Sequence, residues 1–307
     1  MRRERMDYYR IADNNISVLW EDEAGKNEFY DRLGISFHPV FLGAYEQGDK
    51  ERENIKKYDM QIIMKYTQRF ERPSSYTIVS NQIYYKQGKN FCMTFVNQKN
   101  LDMPVLTIKT SNCFHNVEFI PHSDFYNVYS LQLLQVVFEQ MMPLQNGFMM
   151  HGAAIEYKGE GIIFTGFSGS GKSTQARLWR KYRNTITTNG DSPIIRRIQD
   201  TVYMYGTPWC GTSGESINRR TPLKAIVLVK QSPTNHVEEI TGDDAVFAVY
   251  TNVLYYSQDE EDLDRLLEVL PDIVHKIKVY RLFCNMEEDA VNTLEKTLYE
   301  ETNETGI

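Results

Sequence analysis

The stretch Gly161-Ile-Ile-Phe-Thr-Gly-Phe-Ser-Gly-Ser-Gly-Lys-Ser-Thr174 carries the residue types needed to hold a polyphosphate. From Gly166 through Gly171 and Lys172 to Ser173 it satisfies the pattern G-x-x-x-x-G-K-[ST]. Gly166, Gly169 and Gly171 let the backbone turn tightly, so that successive N–H groups, with those of Ser168 and Ser170 among them, form an anion nest. A helix opening at Lys172 adds its positive end. Lys172 would reach the outer phosphates as a point charge. The Ser173 hydroxyl would ligand Mg²⁺, which favours hard oxygen donors, and Thr174 completes the candidate set. The chemistry implied is binding of ATP, or another nucleoside triphosphate, with Mg²⁺.

Such a loop works only between a strand and a helix, and both are expected. Ile162, Ile163 and Phe164 form the apolar run before it, and Gln175 to Tyr182 are good helix formers without Gly or Pro. Upstream, Phe148 to Tyr157 reads as a strand returning through Lys158-Gly-Glu-Gly161 into the loop strand, and it carries His151. A lone strand histidine is more often satisfied by hydrogen bonds than catalytic.

A second group follows. The short β-branched run Thr185-Ile-Thr-Thr188 ends in Asn189-Gly-Asp191. Asp191 could ligand the metal, hold one of its waters, or accept a proton from an attacking hydroxyl, since phosphoryl transfer needs positioning above all. The same tripeptide also makes an ordinary turn. Further on, Tyr205-Gly-Thr-Pro-Trp-Cys-Gly211 reads as a strand entering a loop that could act as a lid, with Thr207, Trp209 and Gly211 near a transferring phosphate. Arg219 and Arg220 could neutralise phosphate charge or could be surface arginines. Cys210 has no assignable histidine and reads as structural. The later apolar run Ala225 to Val229 continues into Lys230-Gln-Ser-Pro, with no acid at its end. That argues against motor, transporter and GTPase classes.

Composition sets the frame. The chain has 307 residues, 41% hydrophobic and 24% charged, with a net charge of −7, which disfavours a general nucleic-acid or membrane-surface binder. Its four cysteines form no C-x-x-C pair and have no nearby histidine at zinc spacing, which fits reduced thiols, and no run of about 18 apolar residues occurs, so a cytoplasmic protein is expected. Residues 1–125 read as β-rich, with strands at Ser75–Val79, Gln82–Lys86, Phe91–Val96 and Val105–Lys109, and an exposed loop at Gly43–Asn54. This region is a candidate for substrate recognition. Residues 126–307 read as an α/β nucleotide-binding domain. In it, helices are expected at Leu131–Met141, Asp243–Tyr255, Asp262–Leu270 and from Asn285 onward, with a strand at Lys278–Cys284. The acidic run Asp259 to Asp262 reads as a solvated helix start.

The hairpin with His151-Gly152, the loop from Gly166 to Ser173, Asn189-Gly-Asp191 and Tyr205 to Gly211 resemble the catalytic core of the HPr kinase/phosphorylase family, relatives of phosphoenolpyruvate carboxykinase. The similarity spans about residues 147–230. It is nearest to HPr-kinase-like proteins with a Gly-Thr-Pro-Trp loop, some of which accompany clusters for ribosomally made peptides, and the strand ending at Cys284 resembles theirs too. The resemblance implies a Mg-ATP-dependent hydroxyl kinase with a P-loop core and a β-rich N-terminal region. It implies that Lys172 and Ser173 hold phosphate and metal, that Asp191 is the second of two adjacent aspartates, and that His151 lines the site. The first aspartate, the family's general base, is replaced here by Gly190. Asp191 would then do both jobs, or another group or the substrate would take the proton. The glycine-rich signature of true HPr kinases is absent, so HPr is not the expected acceptor. A peptide, protein or small molecule with a serine-type hydroxyl is. The alternatives are a nucleotide-responsive binding protein that has lost catalysis and, more remotely, a carboxykinase-like enzyme.

Overall fold

This computed structural model describes residues 6–21, 59–65, 68–88, 90–97, 99–111, 113–122, 130–255 and 260–300. The expected loop at 43–54 and the first residue of the acidic run lie outside them. Two sheets and few helices make a mixed α/β chain. It divides into two compact units, Met1–Leu144 and Gln145–Ile307, so the helix expected to open the second region belongs to the first.

In the first unit the strands are β1 (Met6–Ile11), β2 (Asn14–Trp20), β3 (Met60–Met64), β4 (Thr77–Val79), β5 (Gln82–Gln87), β6 (Asn90–Asn97), β7 (Asn100–Thr110) and β8 (Asn116–Pro121). They form one eight-stranded sheet in the order β1-β2-β3-β8-β7-β6-β5-β4. Period-two burial explains β3, where Met60, Ile62 and Met64 turn inward, and the hairpin expected between β5 and β6 closes with Gln87 opposite Asn90. Helix α1 (Ser130–Met141) buries Leu134, Phe138 and Met141, the spacing that marked it in the sequence.

The same helix also buries Glu139, whose only relief among the described contacts is a 3.0 Å bond from Gln135 Nε2, and burial pushes its carboxyl up to about 7. Between the ordinary carboxyl pKa and about 7 the folded chain holds a proton that the unfolded chain has lost, so this group's contribution declines as pH rises through that window. Glu139→Gln is therefore expected to raise the melting temperature at pH 8 and to lose that advantage by pH 5. Melting scans at the two pH values check this.

The second unit contains β9 (Gly147–Met150), β10 (Gly152–Tyr157), β11 (Glu160–Thr165), α2 (Lys172–Arg183), β12 (Ile186–Asn189), β13 (Ile194–Ile198), β14 (Thr201–Tyr205) and β15 (Arg220–Gln231). They are followed by β16 (His236–Ile240), α3 (Gly242–Tyr250), β17 (Val253–Leu254), α4 (Glu260–Val274), β18 (Lys278–Cys284) and α5 (Glu288–Tyr299). The sheet runs β12-β10-β11-β15-β14-β13-β9-β17, with β18 also on β15 and β16 on β18. Strand β15 lies parallel to both β11 and β18, which suits strands buried on both faces. Ile163 and Ile226 face a cluster with Ala245 and Val249 of α3 and Leu266 and Leu270 of α4. Their neighbours Ile162, Phe164 and Val227 face Ala176 and Trp179 of α2 and Val291 and Leu294 of α5. The loop strand is thus held between two helical layers.

Four expected elements differ. The single strand at 148–157 is two strands with a bend at His151: β9 pairs with β13 and β17, β10 with β11 and β12. The bend is set by hydrogen bonds to different partners on either side, His151 N to Asn252 O and Gly152 N to Asp191 O, both 2.8 Å. Helix α3 stops at Tyr250, because Asn252 Nδ2 bonds Ala248 O and the chain then turns into β17. Helix α4 runs through Pro271, since Leu270, Ile273 and Val274 keep their buried side beyond it. Helix α5 starts at Glu288, because the Asn285 side chain turns the chain first by accepting from Glu287 N at 3.0 Å.

Candidate functional site

Gly166, Gly169 and Gly171 have φ of 131°, 77° and 109°, where a side chain would be strained, and a Cβ on Gly166 would stand 3.0 Å from Ser170 Oγ and 3.1 Å from Val229 O. The loop therefore exists because these positions are glycine. Lys172 opens α2 and folds back, donating to Gly166 O at 2.8 Å and Phe167 O at 3.0 Å. Burial pulls its ammonium pKa down, opposed by the charge of Asp191. Ser170 Oγ is buried with no partner among the described residues. An oxyanion is what an unpartnered hydroxyl, a lysine and a glycine nest on a helix N-terminus fit.

Asp191 lies just past the end of β12. His151, at the bend between β9 and β10, places Nδ1 3.1 Å from Asp191 Oδ1, and Ser192 Oγ donates to Oδ2 at 3.0 Å. The His151 bond, ahead of the opposing effect of burial, holds the carboxyl below its ordinary range, and the Lys172 charge adds to this. The structure therefore brings together His151, Lys172 and Asp191, which lie far apart in sequence. Gly211 backs onto the same carboxylate, since a Cβ there would stand 2.9 Å from Asp191 Cβ.

Asn189 fixes this arrangement. Fully buried, it donates from Nδ2 to Thr207 O at 2.9 Å and Thr207 Oγ1 at 3.0 Å, while Oδ1 accepts from Asp191 N at 2.9 Å and Ser192 N at 2.7 Å. Thr207 Oγ1 in turn donates to Ser192 O at 2.7 Å, and Ser216 Oγ bonds Thr207 O. Thr207 and Trp209, expected near the phosphate as part of a lid, are buried, and Thr207 ties the loop to the strand end. Cys210 is buried too, which raises its thiol pKa as expected of a structural cysteine. Arg219 and Arg220 turn elsewhere: Arg219 bonds Glu156 Oε1 at 3.1 Å and Arg220 lies 4.8 Å over the Tyr203 ring.

Gly190 is a steric requirement. A Cβ there would fall 1.9 Å from Ser213 Oγ and 2.9 Å from Cys210 O. Ser213 is fixed by donating to Cys210 O at 2.7 Å, so the loop fills the room that a side chain at 190 would need. Gly190→Ala is expected to cost about 1–3 kcal/mol as overpacking, and Ser213→Gly in the same chain should recover most of it. A double-mutant cycle of denaturant melts measures both.

No protein-family model matches this chain, and no curated protein matches it. Among solved structures, the HPr(Ser) kinase/phosphatase from Coxiella burnetii aligns with 49% of this chain and 92% of that one, at 14% identity and a TM-score of 0.28. The likeness is too slight to bear on function. No helix among the described residues is long and apolar enough to cross a membrane.

Among those residues no three His, Cys, Asp or Glu side chains gather to hold a metal alone. Oxygen donors expected to hold one include the Ser173 hydroxyl, at the start of α2, and the Asp191 carboxylate, whose charge reaches Lys172. Such a set suits Mg²⁺, which takes one or two protein oxygens together with phosphate oxygens and water. The sequence did not mark Asn189 as a clamp, nor Ser213 and Ser216. The signal for Asn189 was its place one residue before the Gly-Asp turn, where an amide can cap backbone N–H groups. Ser213 and Ser216 gave none, because their roles depend on a fold-back of the chain.

Proposed function

We propose that this protein transfers the γ-phosphate of ATP to a hydroxyl of a peptide, protein or small molecule. The observation that carries this is the Asp191 carboxylate, held by His151 Nδ1 at 3.1 Å and coupled by charge to Lys172 of the glycine loop. An ionised, oriented carboxylate beside a phosphate-binding lysine is what positions a hydroxyl for in-line attack.

In this reading the loop amides from Gly166 to Gly171 and the Lys172 ammonium bind the phosphates. Lys172 leaves the carbonyls of Gly166 and Phe167 to do so, which exchanges neutral acceptors for charged ones. Ser173 and Asp191 would hold Mg²⁺, whose chemistry is to neutralise charge on the β- and γ-oxygens. Asp191 keeps the His151 ring in one orientation through Nδ1, so that Nε2 is the ring nitrogen on the side away from the carboxylate. The acceptor's proton goes to Asp191 or to His151. Lys172→Ala is expected to weaken nucleotide binding by about tenfold or more, as a charged hydrogen bond is worth roughly 1.5–3 kcal/mol; calorimetric titration checks it.

The test is turnover: the full chain with Mg²⁺ and γ-labelled ATP, with and without lysate of its own cells, followed by separation of labelled products. Label in a peptide, protein or small molecule supports the kinase. A second reading, a nucleotide-responsive binding protein, is favoured by the filled space at Gly190, which leaves no room for a second carboxylate. Tight ATP binding without transfer to any acceptor would favour it.

A further inference from the structure

Beside the glycine loop, at the C-terminal ends of β15 and β18, lies a cavity of about 470 Å³, within the roughly 300–1,000 Å³ range of small-ligand sites. Its walls include Gly171, Gln175, Val229, Gln231, Cys284 and Met286. Gln231 Nε2 donates to Gly169 O at 2.8 Å, so one wall is pinned to the loop itself. Apolar Val229, Pro233, Cys284 and Met286 make one part of the lining, and polar side chains, Gln175 among them, make much of the rest.

One of those polar groups is incomplete. Gln175 is only 1% exposed, and its amide orientation is set by Nε2, which donates to Cys284 Sγ at 3.1 Å and Asn285 O at 3.5 Å. Its Oε1 has no hydrogen-bond partner among the described residues. A buried amide oxygen left without a donor costs free energy that folding alone does not explain, so a ligand donor is the economical account. We propose that this cavity takes the base of the bound nucleotide, and that Gln175 Oε1 selects an amino-bearing base by accepting from its exocyclic amine. This rests on the nucleotide-binding reading of the adjoining loop. Adenine fits both requirements, an apolar plane with an amine at its edge. Hypoxanthine presents a carbonyl at the same place, so two acceptors would face each other.

The experiment is calorimetric titration of the full chain with Mg-ATP, Mg-ITP and inorganic triphosphate, repeated for Gln175→Met and Met286→Trp. Wild type should bind ATP about tenfold tighter than ITP. Gln175→Met should bring the two within about threefold of each other while leaving triphosphate unchanged. Met286 is 73% exposed, so Met286→Trp narrows the mouth with little risk to folding. It should weaken both nucleotides and spare triphosphate. Equal affinity of wild type for ATP and ITP, or nucleotide binding unaffected by Met286→Trp, would overturn the assignment of the cavity. Failure of triphosphate itself to bind would instead strike at the loop's function, which keeps the two ideas separable.

Discussion

Asp191→Asn should lower phosphoryl transfer on the order of 10³-fold, the scale of a lost positioning base, while Mg-ATP affinity stays within about fivefold. The amide keeps the size of the carboxylate, and the backbone bond from Gly152 N to Asp191 O at 2.8 Å is untouched, so the fold has no reason to change. What goes is the charge. His151 Nδ1 then faces a neutral oxygen, and Lys172 loses the anion that opposes the fall in its pKa. Single-turnover transfer of labelled phosphate, beside a melting scan of the same sample, separates the two properties. Transfer at the wild-type rate would remove Asp191 from the chemistry.

Asn189→Ala should destabilise the second unit by about 2–4 kcal/mol, which is large for one polar side chain. The buried amide serves Thr207 through Nδ2 and the N–H groups of Asp191 and Ser192 through Oδ1. Removing it strands several buried groups at once, each of which then bears its own desolvation cost. Because Thr207 also bonds Ser192 O, the loss should spread to the 206–216 loop as faster amide exchange. Urea melts give the first quantity and hydrogen exchange the second. A loss under about 0.5 kcal/mol would mean that the network is dispensable.

The elements most legible in the sequence were those with local causes. The glycine loop follows from Gly166, Gly169 and Gly171, whose backbone angles only glycine adopts at ease, and α1 follows from the spacing of its buried residues. The hairpin of β5 and β6 follows from alternating residues around Gly88. Features set by distant partners were not legible. The bend at His151 depends on Asn252 and Asp191, one on each side, and nothing near residue 151 announces it. The extent of α4 past Pro271 depends on buried neighbours at Ile273 and Val274, which outweigh the lost donor. Of the candidate site, Lys172, His151 and Asp191 were each expected from sequence, and the fold adds the 3.1 Å between His151 Nδ1 and Asp191 Oδ1. The fate of Arg219 and Arg220 turns on Glu156 and Tyr203, whose proximity is a property of the sheet.

Strand β15 has a consequence for how the second unit tolerates change. Its first residues, Arg220 to Pro222, pair with β14, which leads into the Thr207 loop, and its last residue, Gln231, holds the carbonyl of Gly169. Pro222, which has no N–H to give, stands where the pairing passes from β14 to β11 and β18. Over 12 residues at about 3.3 Å each, this one strand acts as a gauge rod between the two halves of the site. A single-residue insertion or deletion within it would alter the gauge at both ends together and turn Ile226 and Val227 to the wrong helical layers. Length variation in this unit therefore belongs in its turns, and β15 is the segment whose residue count sets the working distance of the machine.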